Sequence, residues 1–200
     1  MADIRSILGA SFVYRTFTVL IGAHGLRKSY SEKHIRARDK MAVLDIGCGP
    51  GDILGYLPEV DYTGFDLNGE YIEAAARRFG NRGKFFCADV NDVSKQNRTY
   101  DIVLANGILH HLSDKEATGL MRLAHSCLSP GGRFVSLDGC FTDNQPAISR
   151  YLLRSDRGKY VRTRQGYIDL AKGVFTAVDS YIYDDLLRIP YVHIIMECTR

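Results

Sequence analysis

Three glycines occur within five residues of the sequence VLDIGCGPGDIL, which spans residues 43–54. They are Gly47, Gly49 and Gly51, and they follow a short apolar run that contains Asp45. Glycine lets a backbone turn tightly and leaves no Cβ between the main chain and a ligand. At the carboxyl end of a buried strand, such a loop predicts a binding site for a small molecule.

Two common glycine-rich sites do not fit this loop. A dinucleotide fingerprint GxGxxG that begins at Gly47 needs a glycine at position 52, where the sequence has Asp52. A carboxylate there would repel a pyrophosphate at the start of the following helix. A phosphate-binding P-loop is excluded because no GK[ST] follows. The loop by itself still leaves open a glycine turn that binds nothing.

Acidic residues end the next two apolar runs of the sequence. The carboxylate of Asp66 can accept hydrogen bonds from the two vicinal hydroxyls of a ribose. The carboxylate of Asp89 can accept from an exocyclic amino group of adenine. Either acid alone could instead cap a helix. Together with Asp45 and the glycines, they favour one ligand that contains a nucleoside.

The elements that position these residues follow from the alternation of apolar runs and helical patterns, which is typical of a parallel sheet covered by helices. The runs predict strands at 41–47, 61–67, 84–89, 100–106 and 132–138, and helices at 52–57, 69–79, 114–128 and 164–175. The last two runs, 178–187 and 191–199, are too close for a helical crossover and predict an antiparallel pair. The expected fold class is α/β: a Rossmann-like, doubly wound, seven-stranded sheet, mostly parallel with an antiparallel C-terminal strand pair.

The ordered motifs of residues 41–140 resemble those of the class I S-adenosylmethionine-dependent methyltransferases, in particular the small-molecule enzymes of the UbiE type. The resemblance rests on VLDIGCGPG, GFDLN, CADV, YDIVLANGILHHL and LSPGGRFVSLD. It implies S-adenosyl-L-methionine as the cofactor and S-adenosyl-L-homocysteine as the product. An enzyme is therefore expected, with a protein that binds the cofactor without catalysis, as a sensor or partner subunit, as the alternative.

The resemblance also implies which residues hold the cofactor. The glycine loop surrounds its aminocarboxylate end and is supported by the preceding acid. The residues after strands two, three and four hold the ribose, the adenine and the edge beside the reactive methyl group. The residues implied in this way are Asp45, Gly47, Cys48, Gly49, Gly51, Asp66, Leu67, Asp89, Val90, Asn106 and Gly107.

Methyl transfer is an in-line displacement in which the protein mainly aligns acceptor, methyl group and sulfur. We expect transfer to oxygen, for which a general base helps to remove the acceptor proton. His110 and His111 follow the fourth strand and are the candidates, with His111 preferred. The alternative for the pair is a helix cap and a packing residue. The sequence indicates no metal, because Asn106 stands where the metal-dependent catechol enzymes of this superfamily have an aspartate. It indicates no covalent intermediate, because the Pro-Cys nucleophile expected for carbon methylation of cytosine is missing.

The acceptor is expected to be a small molecule or glycan, and the distribution of charge indicates that it is anionic. Residues 1–40 and 147–172 each carry +5, whereas 41–146 carry −5 and 173–200 carry −2, within a net charge of +3. Arg150, Arg154 and Arg157 share one helical face and are predicted to bind this acceptor. Solvated helix faces are the alternative. RNA is a weaker alternative acceptor, and binding of nucleic acid is not favoured.

A single domain is expected for 200 residues. Its predicted parts are an N-terminal helical lid (1–40), the cofactor-binding core (41–140), a variable acceptor-side segment (141–175) and the C-terminal strand pair (176–200). An apolar stripe favours a helix over residues 2–20, from which the following residues could reach over the cofactor: Tyr14, Arg15, Arg27, Lys28 and Tyr30.

The sequence also bears on the setting of the protein. Residues 7–26 are apolar, but Arg15 interrupts them, so a membrane span is not expected, whereas contact with a membrane surface is not excluded. Five cysteines without a CxxC pair indicate a reducing, cytoplasmic setting. The oligomeric state is left open by the sequence.

Overall fold

The apolar runs of the sequence form the strands of one sheet. The computed structural model describes residues 22–89, 92, 98–155 and 158–200. Every predicted strand is present, and the fifth is longer at both ends than predicted. The strands are β1 (Ala42–Ile46), β2 (Asp61–Asp66), β3 (Gly83–Cys87), β4 (Tyr100–Asn106), β5 (Leu128–Phe141), β6 (Arg162–Thr163), β7 (Ala177–Tyr183) and β8 (His193–Thr199).

The strands lie in the order β3-β2-β1-β4-β5-β8-β7, with the short β6 paired to the end of β5. Strands β1 to β5 pair in parallel, and β8 is antiparallel to both β5 and β7. The predicted α/β sheet with an antiparallel C-terminal pair is therefore confirmed. The direction of winding reverses between β1 and β4, whose carboxyl ends lie side by side. Open α/β sheets bind their ligands at this position.

The described helices cover both faces of the sheet. They are α1 (Ala23–Tyr30), α2 (Gly69–Phe79), α3 (Asp114–Cys127), α4 (Ala147–Ser155) and α5 (Arg164–Lys172). The segment predicted as a helix over 52–57 is a 3-10 turn, Asp52–Tyr56, because Pro58 stops it after little more than one turn. The helix predicted over residues 2–20 lies outside the described residues.

Alternate side chains of the strands pack into two apolar cores, one on each face of the sheet. On one face, Leu44 and Ile46 of β1 belong to a core completed by residues of α3 and α5. On the other face, Val43 belongs to a core completed by Tyr30 and by residues of α2 and its flanking turns. Central parallel strands are buried on both faces, which explains their nearly continuous apolar sequence.

Helix α1 is fixed to the sheet by polar contacts at its end. The hydroxyl of Tyr30 donates to Oδ1 of Asn106 over 2.7 Å. One turn later, in a π-helical turn (Ser31–Ile35), Nδ1 of His34 lies 2.8 Å from Oε1 of Glu197 on β8. The guanidinium groups of Arg36 and Arg133 also donate to the buried Glu197 carboxylate. The same polypeptide segment thus contacts the carboxyl end of β4 and the antiparallel part of the sheet.

Within the described part of the chain, the helices are too short or too polar to cross a membrane.

The Glu197→Gln variant is expected to lose stability, because it removes the negative charge that two guanidinium groups share in a largely buried site. Breaking a buried ion pair typically costs ~3–5 kcal/mol, and we expect the lower end because Arg36 is half exposed. Urea unfolding measures this change. The matched control is Glu73→Gln, which removes an exposed pair with Arg77 and should cost below about 0.5 kcal/mol. Equal losses in the two variants would contradict the assignment.

Candidate functional site

The glycine loop follows β1 at the reversal of the sheet. Gly47 and Gly49 have φ values of 67° and 53°, in the region that side chains other than glycine rarely adopt. A Cβ on Gly47 would lie 2.1 Å from Cδ1 of Ile108, so the close approach of these two segments needs glycine. A Cβ on Gly49 would meet no atom within 4 Å. The backbone at Gly49 is therefore open to a ligand.

The carboxylate of Asp66 holds this loop in place. Its Oδ2 accepts from the backbone N–H of Gly49 over 2.9 Å, and its Oδ1 accepts from the N–H of Asn68 over 2.8 Å. Asn68 in turn caps α2 by accepting from the N–H of Glu70. Asp66 thus joins the glycine loop to the start of the next helix. Each carboxylate oxygen can accept a further hydrogen bond, so this role is compatible with a ligand hydroxyl.

Asp45 is a buried carboxylate at the end of β1. Its Oδ2 accepts from the hydroxyl of Tyr62 over 2.6 Å, whereas its Oδ1 has no hydrogen-bond partner among the described residues. Burial is the main cause that raises the pKa of Asp45 to about 7; the Tyr62 hydrogen bond opposes this shift, and the nearby Asp66 charge adds to it. A buried carboxylate with an unpartnered oxygen fits a cationic group of a ligand.

Cys48, between the first two glycines, is a packing residue. Its side chain is buried against β2, where a Cβ on Gly64 would lie 2.7 Å from its Sγ. Burial raises the pKa of the Cys48 thiol well above its usual value. The thiol therefore stays protonated near neutral pH and is not an activated nucleophile.

Two cavities meet at Gly47. The larger, about 590 Å³, lies beyond the carboxyl ends of β1, β2 and β3, with apolar walls and three carboxylates, those of Asp66, Asp89 and Glu116. Leu67, which is 74% exposed, stands at its rim. This combination fits a nucleoside, whose base is flat and apolar on its faces and whose edges carry polar groups. The lining residues named by the sequence are Gly47, Asp66, Leu67 and Asp89.

The smaller cavity, about 390 Å³, lies between the glycine loop and helix α1. Arg27 and Tyr30 form its α1 side, as the sequence suggested for these two residues. The Tyr30 hydroxyl donates to Asn106, which also lines this cavity. Lys28 is exposed and lies 4.0 Å from Glu32 on the helix surface, and Tyr14 and Arg15 lie outside the described residues. The other lining residues that the sequence named are Asp45, Gly47, Cys48 and Gly49.

The two histidines occupy different environments. His110 is buried, and its Nδ1 lies 2.8 Å from Oδ1 of Asp138, which also accepts from the His110 backbone N–H. His111 is exposed, and its ring centroid is 4.2 Å from that of His110. Burial lowers the pKa of His193 to about 4, and the nearby His110 contributes to this shift. Near neutral pH, His193 is therefore uncharged, and Asp138 supplies the carboxylate that contacts His110.

Two of the three predicted acceptor arginines lie on helix α4. Arg150 of α4 donates to the carbonyl oxygens of Thr142 and Asp143 in the preceding loop. Arg154 is exposed on the same helix. Arg157, like the cofactor-site residue Val90, lies outside the described part of the chain, so the predicted roles of these residues stay predictions.

Gly51 and Gly107 complete the predicted set. Gly51 precedes the 3-10 turn with a φ of 70°, and Gly107 follows β4 with a φ of 68°, its N–H donating to the carbonyl of Leu137. Both therefore shape the loops at the reversal of the sheet.

No group of three or more His, Cys, Asp or Glu residues that could hold a metal ion is found within the described ranges.

Two polar partners in the site were not identified from the sequence. Tyr62 donates to Asp45 from the start of β2, and no motif distinguishes it from a core tyrosine. Asp138 contacts His110 from β5. It ends the predicted strand 132–138, as Asp66 and Asp89 end theirs, so the same argument about acids at strand ends would have found it.

Comparison with known proteins gives a consistent result. Residues 43–132 match the family described as a methyltransferase domain. The aclacinomycin 10-hydroxylase RdmB of Streptomyces purpurascens is 29% identical over 170 residues, which cover 78% of this chain and 45% of that protein. The ubiquinone/menaquinone biosynthesis C-methyltransferase UbiE of Desulfotalea psychrophila is 31% identical over 101 residues, which cover 48% of this chain and 40% of that protein. The chain thus spans less than half the length of each relative.

A solved structure supports the same fold. The plantazolicin methyltransferase BpumL, crystallised with a triazolic desmethylPZN analog and SAH, superposes with a TM-score of 0.66 at 18% identity. The superposition covers 100% of this chain and 92% of BpumL.

The Asp45→Asn variant is expected to change how stability depends on pH. The pKa of Asp45 is about 7 in the folded protein, above its unfolded value, so the folded state binds the proton more tightly. As pH rises from about 4 to about 7, titration of Asp45 therefore lowers the unfolding free energy of the wild type by up to about 1.4 kcal/mol per pH unit. Asparagine does not titrate, so the variant should gain stability relative to wild type between pH 5 and pH 8.

Urea unfolding at the two pH values measures the gain. The exposed Asp143→Asn variant is the control and should keep the pH dependence of the wild type. The same stability difference between Asp45→Asn and wild type at pH 5 and pH 8 would show that Asp45 has an ordinary pKa.

Proposed function

Because the chain belongs to the class I S-adenosylmethionine-dependent methyltransferases, we propose that it transfers a methyl group from S-adenosyl-L-methionine to an oxygen atom of a small molecule or glycan. The observation that carries the proposal is the buried, unpartnered Oδ1 of Asp45 beside the smaller cavity. That oxygen suits the ammonium group of an amino acid. When bound, the cofactor supplies a methyl group on a sulfonium, which is an excellent leaving group.

The two cavities would bind different parts of the cofactor. Asp45 and the open backbone at Gly49 would hold the aminocarboxylate end, at the smaller cavity. Asp66 and Leu67 would hold the ribose, and Asp89 the adenine, at the larger cavity. The presence of SAH in the BpumL crystal supports the same choice of cofactor.

The Asp138–His110 contact supports oxygen as the acceptor atom. Oδ1 of Asp138 accepts from the backbone N–H of His110, and as an acceptor it would also receive Nδ1–H, which would leave Nε2 as the basic nitrogen of the ring. Cε1 of His110 would lie 3.9 Å from a Cβ on Gly107, which places the ring beside the end of β4. This geometry favours His110 over His111 as the base that accepts the acceptor's proton. Asp138 is then a positioning residue that fixes the tautomer.

The name of one relative favours a second candidate. RdmB, which matches 78% of this chain, is a hydroxylase by name, so similarity along most of the sequence does not by itself specify methyl transfer. The second candidate is that the chain binds the cofactor without transferring its methyl group. Incubation with S-adenosyl-L-methionine labelled in the methyl group and a small-molecule extract separates the two. Label in an extract molecule, with an equal amount of S-adenosyl-L-homocysteine, supports transfer, whereas cofactor binding without either product supports the second candidate.

The Asp66→Ala variant is expected to weaken S-adenosyl-L-homocysteine binding by at least one charge-assisted hydrogen bond, about 1.5–3 kcal/mol. Calorimetric titration measures the affinity. The control is Asp61→Ala at the opposite end of β2, where the carboxylate pairs with Arg98, and its affinity should equal that of the wild type. Unchanged affinity in Asp66→Ala would remove the ribose assignment.

The histidines give a separate prediction about the chemical step. The His110→Gln variant should lower the rate of label transfer by about 10²- to 10⁴-fold, because the proton of the acceptor then has no base. His111→Gln, the matched control one residue away, should change the rate by less than about threefold, because this ring is exposed and has no carboxylate partner among the described residues. Both variants should bind S-adenosyl-L-homocysteine as the wild type does. A larger loss in His111→Gln would restore the sequence-based preference for that residue.

A further inference from the structure

A third cavity, about 710 Å³, opens beside the smaller of the two cavities already described. It lies between the start of α1, the 3-10 turn Asp52–Tyr56, the end of α2 and the loop between β7 and β8. We call it the arginine groove, because Arg27, Arg78 and Arg188 all line it. Arg27, Asp52 and Leu187 line both this groove and the smaller cavity, so the two spaces adjoin.

Two of the arginines are held by one carboxylate. Nη2 of Arg27 lies 2.7 Å from Oδ2 of Asp52, and Nη1 of Arg78 lies 2.5 Å from Oδ1 of the same group. The Arg78 guanidinium also lies over the ring of Phe79, 4.7 Å from its centroid. Both guanidinium groups are therefore fixed in position. A guanidinium has five N–H donors, and within the described part of the chain each of these two donates only to Asp52.

Arg188 supplies a third guanidinium from the opposite wall. Its aliphatic chain packs on Gly22, where a Cβ would lie 3.1 Å from Cγ of Arg188. The side chain of Arg188 makes no hydrogen bond or ion pair with any described residue. Helix α1 begins directly after Gly22, so the packing places Arg188 across the start of that helix.

The charge of the groove favours an anion. Three guanidinium groups face two carboxylates, those of Asp52 and Asp185. The remaining polar pair, Nδ1 of His24 and the hydroxyl of Tyr56, is 2.9 Å apart and satisfies itself. The excess positive charge and the unused donors match the acceptor oxygens of a carboxylate or phosphate, which guanidinium groups bind in bidentate geometry.

We infer that the arginine groove binds the anionic group of the methyl acceptor, a small molecule that carries a carboxylate or a phosphate. That the anion is the methyl acceptor rests on the proposed function. Binding of an anion in the groove is tested independently of methyl transfer. It places the anionic acceptor at Arg78 and Arg188, rather than at the arginines of α4 that the sequence favoured.

The experiment measures binding of inorganic phosphate by calorimetric titration at constant ionic strength, with and without saturating S-adenosyl-L-homocysteine. Wild type should bind phosphate under both conditions. Arg78→Gln and Arg188→Gln should each weaken phosphate binding at least about tenfold, or about 1.4 kcal/mol, without changing the affinity for S-adenosyl-L-homocysteine. The matched control is Arg77→Gln, which removes an exposed arginine of α2 that pairs with Glu73, and it should bind phosphate as the wild type does.

Three results would overturn the inference. The first is that wild type binds no phosphate at concentrations up to ~10 mM. A dissociation constant above that concentration means a binding free energy weaker than about 3 kcal/mol. The second is an equal loss in Arg77→Gln and Arg188→Gln, which indicates a general surface effect. The third is displacement of phosphate by S-adenosyl-L-homocysteine, which would assign the groove to the cofactor's own carboxylate. Phosphate binding that depends on Arg78 and Arg188 would support the groove even if label transfer failed.

Discussion

The burial of the Asp45 carboxylate constrains the whole cofactor side of the molecule. A carboxylate removed from water is stable only if its oxygens have partners or if it keeps its proton. The fold supplies one partner, the hydroxyl of Tyr62, and the second oxygen has no partner among the residues that the structure describes. A proton can satisfy that oxygen, as the raised pKa of Asp45 indicates, and under the proposed function the ammonium group of the cofactor would do so. The glycine loop follows directly and brings the backbone within reach of the same ligand.

The parts of the fold that the sequence predicts are those set by local rules. The strands follow from buried apolar runs, and the start of α3 follows from Ser113, whose hydroxyl caps that helix together with Glu116. The position of the glycine loop follows from the three glycines, all of which have positive φ. Asp66 and Asp89 line one cavity because parallel strands bring their carboxyl ends to the same edge of the sheet.

The parts that the sequence does not predict depend on contacts between distant segments. The histidine pair is an example. The two side chains are identical and adjacent in sequence, but the fold buries His110 against Asp138 and leaves His111 exposed. The arginines are another. Arg150, Arg154 and Arg157 have regular helical spacing, but Arg150 donates to nearby carbonyl oxygens. Arg27, Arg78 and Arg188 have no shared spacing, and the fold brings them to one groove.

Helix α1 and the π-helical turn after it contact two separate regions of the sheet, the carboxyl end of β4 and strand β8. Tyr30 donates to Asn106 in the wall of the smaller cavity, and one turn later His34 contacts Glu197 in the antiparallel part of the sheet. Thermodynamic reciprocity then applies: a ligand that favours the docked position of α1 is favoured by that docking to the same extent. Substitutions in β8 that loosen α1 should therefore change the affinity for that ligand, although β8 has no residue in the walls of the two cavities that meet at Gly47. In a family tree of such proteins, the residues at these two contacts would be inherited together.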